Sequence, residues 1–126
     1  PGLSAAESEG IIGVSHFIQT LDRPESHDFV ARQKARHGDD VVVSDCVVAH
    51  YGITQFFLEA MQRADSDETD KIMAALAGSI TVANGEVTMR AADKHVDPNM
   101  LLFEVRDRQL KMTKYIGKIV APSQCA

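Results

Sequence analysis

Four small groups of residues have types and spacings that could do chemistry. Cys46 and His50 lie four positions apart beside Asp45, so a helix would place thiol and imidazole on one face. Such a pair could act as a nucleophile and its base if a cleft lowered the thiol pKa. His95 and Asp97 form a second histidine–carboxylate pair. Neither set has the paired spacing of a closed zinc site, so a solvated or partly buried histidine is the simpler reading of both. The segment His37-Gly38-Asp39-Asp40 reads as a helix end and turn. The third group is Ser15, His16 and Phe17, at the end of an apolar run. Small polar side chains beside a ring, at the carboxyl end of a strand in an open α/β sheet, suit a small polar ligand. The fourth is the acidic run from Asp65 to Asp70, which reads as a solvated helix junction. The chain contains no GxGxxG after a strand, no GxxxxGK[ST], no GxSxG and no HExxH.

Bulk composition narrows the classes. The chain has 126 residues, enough for one domain with a core of its own. It is 44% hydrophobic and 25% charged, an ordinary globular balance. A net charge of -5 argues against nucleic acid as a partner. No apolar run reaches the length of a membrane span, and PGLSAAESEG lacks the basic start and apolar stretch of a secretory signal. The first residue is Pro1, so either an initiator Met has been removed or the chain is cut from something longer. A free Pro1 amine can serve as a base in tautomerases, but those chains enter a strand at once and this one does not. Cys46 and Cys125 permit one disulfide; one small buried hydrophobe and one tail thiol is the preferred reading.

The elements that must position these residues follow from spacing. After a flexible leader over 1–8, Glu9–Ile18 (EGIIGVSHFI) reads as a buried strand. Pro24 opens a helix in which acidic residues come early and Arg32, Lys34, Arg36 and His37 come late, with Gly38 as its stop. Val41–Val43 is a short crossing segment. Ser44 or Asp45 caps a long helix that runs to about Arg63 and carries Ile53, Phe56, Phe57, Ala60, Met61 and Ala64 on one face. Ser66 or Asp67 caps a third helix, which buries Ile72, Met73, Leu76 and Ala77 and stops at Gly78. Strands follow over 79–82 and 86–89 about an Asn84-Gly85 turn. A polar loop over 91–98 then leads to strands over 100–105 and 110–120, with a turn over 106–109 and a bend at Gly117. The tail over 121–126 reads as loose.

In this order, several pieces resemble the C-terminal part of type I periplasmic binding proteins, nearest to the branched-chain amino-acid, amide and urea binding proteins of ABC transporters. Glu9-Gly10 resembles the family's opening of a second-lobe strand. Arg23-Pro24-Glu25 to Phe29, then Lys34 to Gly38, resembles its Pro-to-Gly helix. Ala49-His50-Tyr51 resembles the Ala-x-Tyr that enters its long helix. Glu59-Ala60-Met61 to Ser66-Asp67, and Leu76-Ala77-Gly78 followed by Ala83 to Met89, resemble the motifs that come next; His95 and the strand 100–105 match the amide and urea branch. The resemblance covers residues 9–120. The sequence departs from it where Asp65 replaces a Gly and where no Pro precedes Gly85.

The resemblance implies an α/β fold, part of the type I architecture of three-layer αβα lobes. It is incomplete in this chain, so either the chain is a fragment or its core is completed by association, as in a swapped or intertwined homodimer. The strand and helix up to Val43 would belong to the second lobe, the helical stretch to the first, and the last strands would return across the hinge. It implies a substrate-binding component that closes on a small polar solute without chemistry, delivers it to an ABC permease, and works in the periplasm with no cofactor and no metal. The expected ligand-binding residues are Ser15, His16, Phe17 and Tyr51. Two alternatives keep their place: a cytoplasmic ligand-sensing regulator of the amide-sensor type, and a small enzyme using Cys46 and His50.

Overall fold

The computed structural model describes residues 2–120 and Pro122. Among the described residues four helices and six strands follow one another: α1 (Ala5–Ser8), β1 (Ile12–Ser15), α2 (Pro24–His37), α3 (Asp45–Ala64), α4 (Thr69–Ala75), β2 (Gly78–Val82), β3 (Gly85–Met89), β4 (Val96–Asp97), β5 (Asn99–Arg106) and β6 (Gln109–Lys118). The strands form two sheets of three, in the orders β1-β5-β6 and β2-β3-β4, and every pairing is antiparallel. The fold is mixed α/β, as expected. Because β1 pairs antiparallel with β5, the carboxyl-end rule for parallel sheets does not by itself place a ligand at Ser15.

The two long helices follow their sequence signals. Pro24 occupies the first helical position of α2, where its missing N–H costs nothing, and Gly38 ends the helix with φ 97°. Of the two candidate caps for α3, Ser44 does the work: its Oγ accepts from Val47 N at 3.4 Å. Asp65 closes the helix in the left-handed region at φ 45°. The buried stripe of α3 is Val48, Gly52, Phe56 and Ala60, a strict i, i+4 row. Ile53 and Phe57, expected inward, are each 49% exposed. Gly52 lets α3 approach β2 closely, since a Cβ there would lie 3.1 Å from Val82 Cγ1.

Elsewhere the structure corrects the boundaries. The first strand is confined to Ile12–Ser15, because Gly10 turns at φ 80° and the Ser15 hydroxyl accepts from Phe17 N, taking that amide off the ladder. The presumed leader contains one helical turn, closed by a capping box between Ser4 and Glu7. Neither Ser66 nor Asp67 caps α4. Glu68 stands at that position with no side-chain capping bond, its carboxylate pairing instead with Lys71 at 3.0 Å, and Met73 faces solvent. Gly78 opens β2 in addition to ending the helical region. The segment expected to be a plain loop over 91–98 includes β4. Two register irregularities interrupt β5–β6, one of them opposite Ile116 beside Gly117, where a bend was expected.

One core draws on α2, α3, both sheets and the segment that follows β1. Phe17, Ile18 and Leu21 from the segment after β1 pack with Phe29 of α2, Val48 and Phe56 of α3, Ile80 and Val87 of the second sheet and Leu101 of β5. Large apolar side chains also lie outside it. Among the described residues β1 pairs on one side only, and Ile12 and Val14 are 70% and 57% exposed along it. Cys46 is exposed and free, while Cys125 lies outside the described residues, so the possible bridge does too.

Candidate ligand-binding site

The segment leaving β1 is tied to the start of α3 by side chains. His16 Nε2 lies 3.1 Å from the Asp45 carbonyl, an acceptor, so this ring nitrogen donates. The Ser15 hydroxyl has one proton and two acceptors in reach, Phe17 O at 2.9 Å and Asp45 Oδ2 at 3.2 Å. Gln19 Oε1 accepts from Val43 N at 3.0 Å. Asp45 Oδ1 accepts from Cys46 N at 2.8 Å, so the carboxylate is fixed at the positive end of α3. These bonds are possible because Ser44 starts the helix at this point and turns Asp45 back over β1.

Beside them opens a recess of about 560 Å³. Its apolar wall includes Val14, Phe17, Val42, Phe103 and Leu110, and its polar groups include Ser15, Ser44, Asp45 and Arg108. That volume and mixture suit a small solute with an apolar body and one polar end. The structure brings Ser15 and Phe17 together here, with Phe17 only 2% exposed and mainly a core residue. It does not bring the other two expected residues to this wall. His16 faces an apolar recess against α3, with Ala49, Gly52 and Phe56. Tyr51 lies across α3 in a third recess, its ring 5.0 Å from that of Phe29 in an edge-on contact. The sequence offered Ser44 as a helix cap and Asp45 as a cap or as a neighbour of Cys46 and His50; Ser15, the spatial neighbour of Asp45, is thirty residues away, and spacing does not show that.

The remaining chemical groups sort simply. His50 Nδ1 lies 2.7 Å from the Cys46 carbonyl, so the ring nitrogen facing Cys46 donates to its main chain. Asp97 is buried and meets Arg90 Nη1 at 3.4 Å, while His95 is exposed, with its amide 3.1 Å from Asp93 Oδ1. Among the described residues no group of three or more His, Cys, Asp or Glu side chains is placed to hold a metal ion, and no helix is long and apolar enough to cross a membrane.

A family model, the periplasmic binding protein domain, matches residues 2–123. The chain belongs to that family. Solved structures of similar fold include a solute-binding protein of an R. palustris ABC transporter in complex with benzoate, with TM-score 0.79, 20% identity, and 92% of this chain and 32% of that one covered. Another is a leucine-binding protein from Thermotoga maritima, with TM-score 0.75, 18% identity and coverage of 88% and 32%. A third is a Rhodopseudomonas palustris BisB5 solute-binding protein with 3,4-dihydroxybenzoic acid, with TM-score 0.76, 16% identity and coverage of 90% and 31%. These likenesses are of fold. This periplasmic-binding-protein chain therefore spans about a third of the length of such proteins. A 64-residue stretch is also 36% identical to a limonene hydroxylase from Geobacillus stearothermophilus, over 51% of this chain but 12% of that protein.

Proposed function

We propose that this periplasmic-binding-protein chain supplies part of the ligand cleft of an ABC-transporter solute-binding protein, acting in the periplasm and delivering its solute to a permease. The solute is a small acid with an apolar body, either a branched-chain amino acid or an aromatic acid. The observation that carries this reading is the Ser15–Asp45 contact at the rim of an apolar-walled recess. The Ser44 hydroxyl and the Arg108 guanidinium can hold a carboxylate, Asp45 can hold an ammonium if the ligand has one, and Val14, Phe103 and Leu110 cover its body. The solved relatives that bind benzoates and leucine support such an acid. Short amides and urea, the other solutes implied by the family resemblance, offer less for the apolar wall to cover. Binding needs no covalent step, and the ring nitrogen of His50 beside Cys46 is committed to a carbonyl in place of the thiol.

Calorimetric titration of the protein with leucine, benzoate, acetamide and urea tests this. Asp45→Asn should weaken an amino acid by about tenfold or more and should not weaken benzoate, whose carboxylate loses a like charge beside it. Preference for acetamide or urea over both acids, or an Asp45→Asn variant that binds leucine normally, would overturn the assignment.

A further inference from the structure

Away from that recess, α2, α3 and the end of β2 line the recess that holds Tyr51, of about 260 Å³. Two acceptors on its wall are buried without a hydrogen-bond partner among the described residues: Glu25 Oε2 and Gln55 Oε1. Arg23 Nε approaches the first only to 3.9 Å, too far for a hydrogen bond. The aromatic part of the wall is Tyr51 against Phe29. Arg32 also lines it, but its guanidinium is taken up by Asp28 at 3.4 Å and by both rings, at 5.7 and 5.9 Å from their centroids. The ionisable lining is two carboxylates, Glu25 and Asp28, and one guanidinium, and Arg23 faces Glu25 from outside the lining at 3.9 Å.

Buried acceptors without donors cost free energy until something donates to them. Here the two acceptors favour an occupant that brings N–H donors, and because one of them is a carboxylate oxygen a cationic donor bonds it more strongly than a neutral one. We propose that the recess between α2 and α3 binds a small organic cation bearing N–H groups, a primary ammonium or a guanidinium, through Glu25 Oε2 and Gln55 Oε1, with Tyr51 against its hydrocarbon part. This site is separate from the solute recess at Ser15 and Asp45, and its occupant need not be the transported solute. Both acceptors are presented by helices that share the core contact of Phe29 with Tyr51, so binding would also tie α2 to α3.

The test is an NMR titration of the protein with methylammonium and methylguanidinium chlorides, with sodium chloride and tetramethylammonium chloride as controls at matched ionic strength. Saturable shifts of the Gln55 side-chain amide and the Tyr51 ring are expected with the two N–H cations alone. Glu25→Gln and Gln55→Leu should each weaken that binding by about tenfold, the loss of one charge-assisted bond. Both positions are only partly buried, so the variants should fold, which their amide spectra will show. Shifts that never saturate mean that water alone fills the recess. That result overturns the proposal, as does an equal response to tetramethylammonium or binding unchanged in both variants.

Discussion

Asn84 and Asn99 hold each other's main chains: Asn84 Nδ2 donates to the Asn99 carbonyl at 2.9 Å, and Asn99 Nδ2 donates to the Asn84 carbonyl at 2.9 Å. Asn84 sits in the β2–β3 turn and Asn99 begins β5, so this exchange joins the two sheets. Asn99 also donates to Glu86 O at 2.9 Å, and Asn84 donates to His16 O, just beyond β1. Both side chains are buried. The pair therefore fixes where the segment 15–17 leaves its sheet. Asn99→Ala leaves the Asn84 and Glu86 carbonyls without these donors. It should cost about 2–3 kcal/mol, read from urea unfolding midpoints at unchanged slope. A loss below about 0.5 kcal/mol would show that the pair is not the junction described.

Gly13 and Phe103 face each other across β1 and β5. A Cβ on Gly13 would lie 2.4 Å from Phe103 Cζ. Gly13→Ala should therefore destabilise the protein by about 1–3 kcal/mol. Phe103→Leu in the same chain should recover part of that loss, and a double-mutant cycle would read the coupling. Strict additivity of the two changes would contradict the contact.

The β5–β6 turn places Asp107 and Arg108 at φ 52° and 62°, both left-handed. Two-residue hairpins of this kind favour glycine at the second position, where arginine is strained. Arg108→Gly should raise stability by up to about 1 kcal/mol in thermal unfolding. Arg108 also lines the solute recess, so the same variant shows whether its charge contributes to binding an acid. Lower stability would mean that the turn gains more from the side chain than it loses to strain.

Glu7 accepts from the Ser4 hydroxyl and the Ser4 amide, and these bonds hold its carboxyl below its usual pKa of 4.5. A carboxylate whose pKa is depressed by folding stabilises the fold above its ordinary value and stops doing so as pH falls through the depressed one. The α1 turn should therefore stay capped at neutral pH and loosen only below the ordinary carboxylate range. The Ser4 amide shift followed against pH should report a midpoint under 4.5. A midpoint at or above that value contradicts the capping box.

Produced as these 126 residues, the chain should self-associate. Ile12 and Val14 are exposed along a β1 edge that no strand of the described residues covers, and Ile53 and Phe57 are exposed on α3. Sedimentation velocity should show species larger than a monomer. A monodisperse monomer that unfolds cooperatively would contradict the reading of these surfaces as unfinished interfaces.

The legibility of the sequence was uneven for physical reasons. α2 and α3 were readable because their signals are local: Pro24, Ser44 and Gly38 act within one turn of where they stand. The β2–β3 hairpin was readable from Asn84-Gly85 for the same reason, although Ala83 and Asn84 form the turn and Gly85 starts the strand. The short β4 was missed, since two residues carry no period, and α1 was missed because only its capping box marks it. The inward face of α3 was drawn too wide. Periodicity shows a stripe, but what covers each residue depends on partners elsewhere, and Gly52 had no apolar signal at all. The same limit applied to the candidate site. Ser15 and Phe17 were readable as the end of a run, but Asp45 reaches them only through the fold. His16 and Tyr51 turn to other walls because antiparallel pairing and the α2–α3 contact set their directions.

The central claim is that the recess at Ser15, Ser44 and Asp45 binds a small acid and releases it unchanged. NMR titration of the protein with isotope-labelled leucine and benzoate, following protein and ligand signals together, reads both halves of it. The account predicts saturable shifts concentrated on Ser15, Phe17, Ser44 and Asp45, with the ligand recovered intact after prolonged incubation. Shifts that avoid these residues, or conversion of either ligand to a new compound, would contradict it.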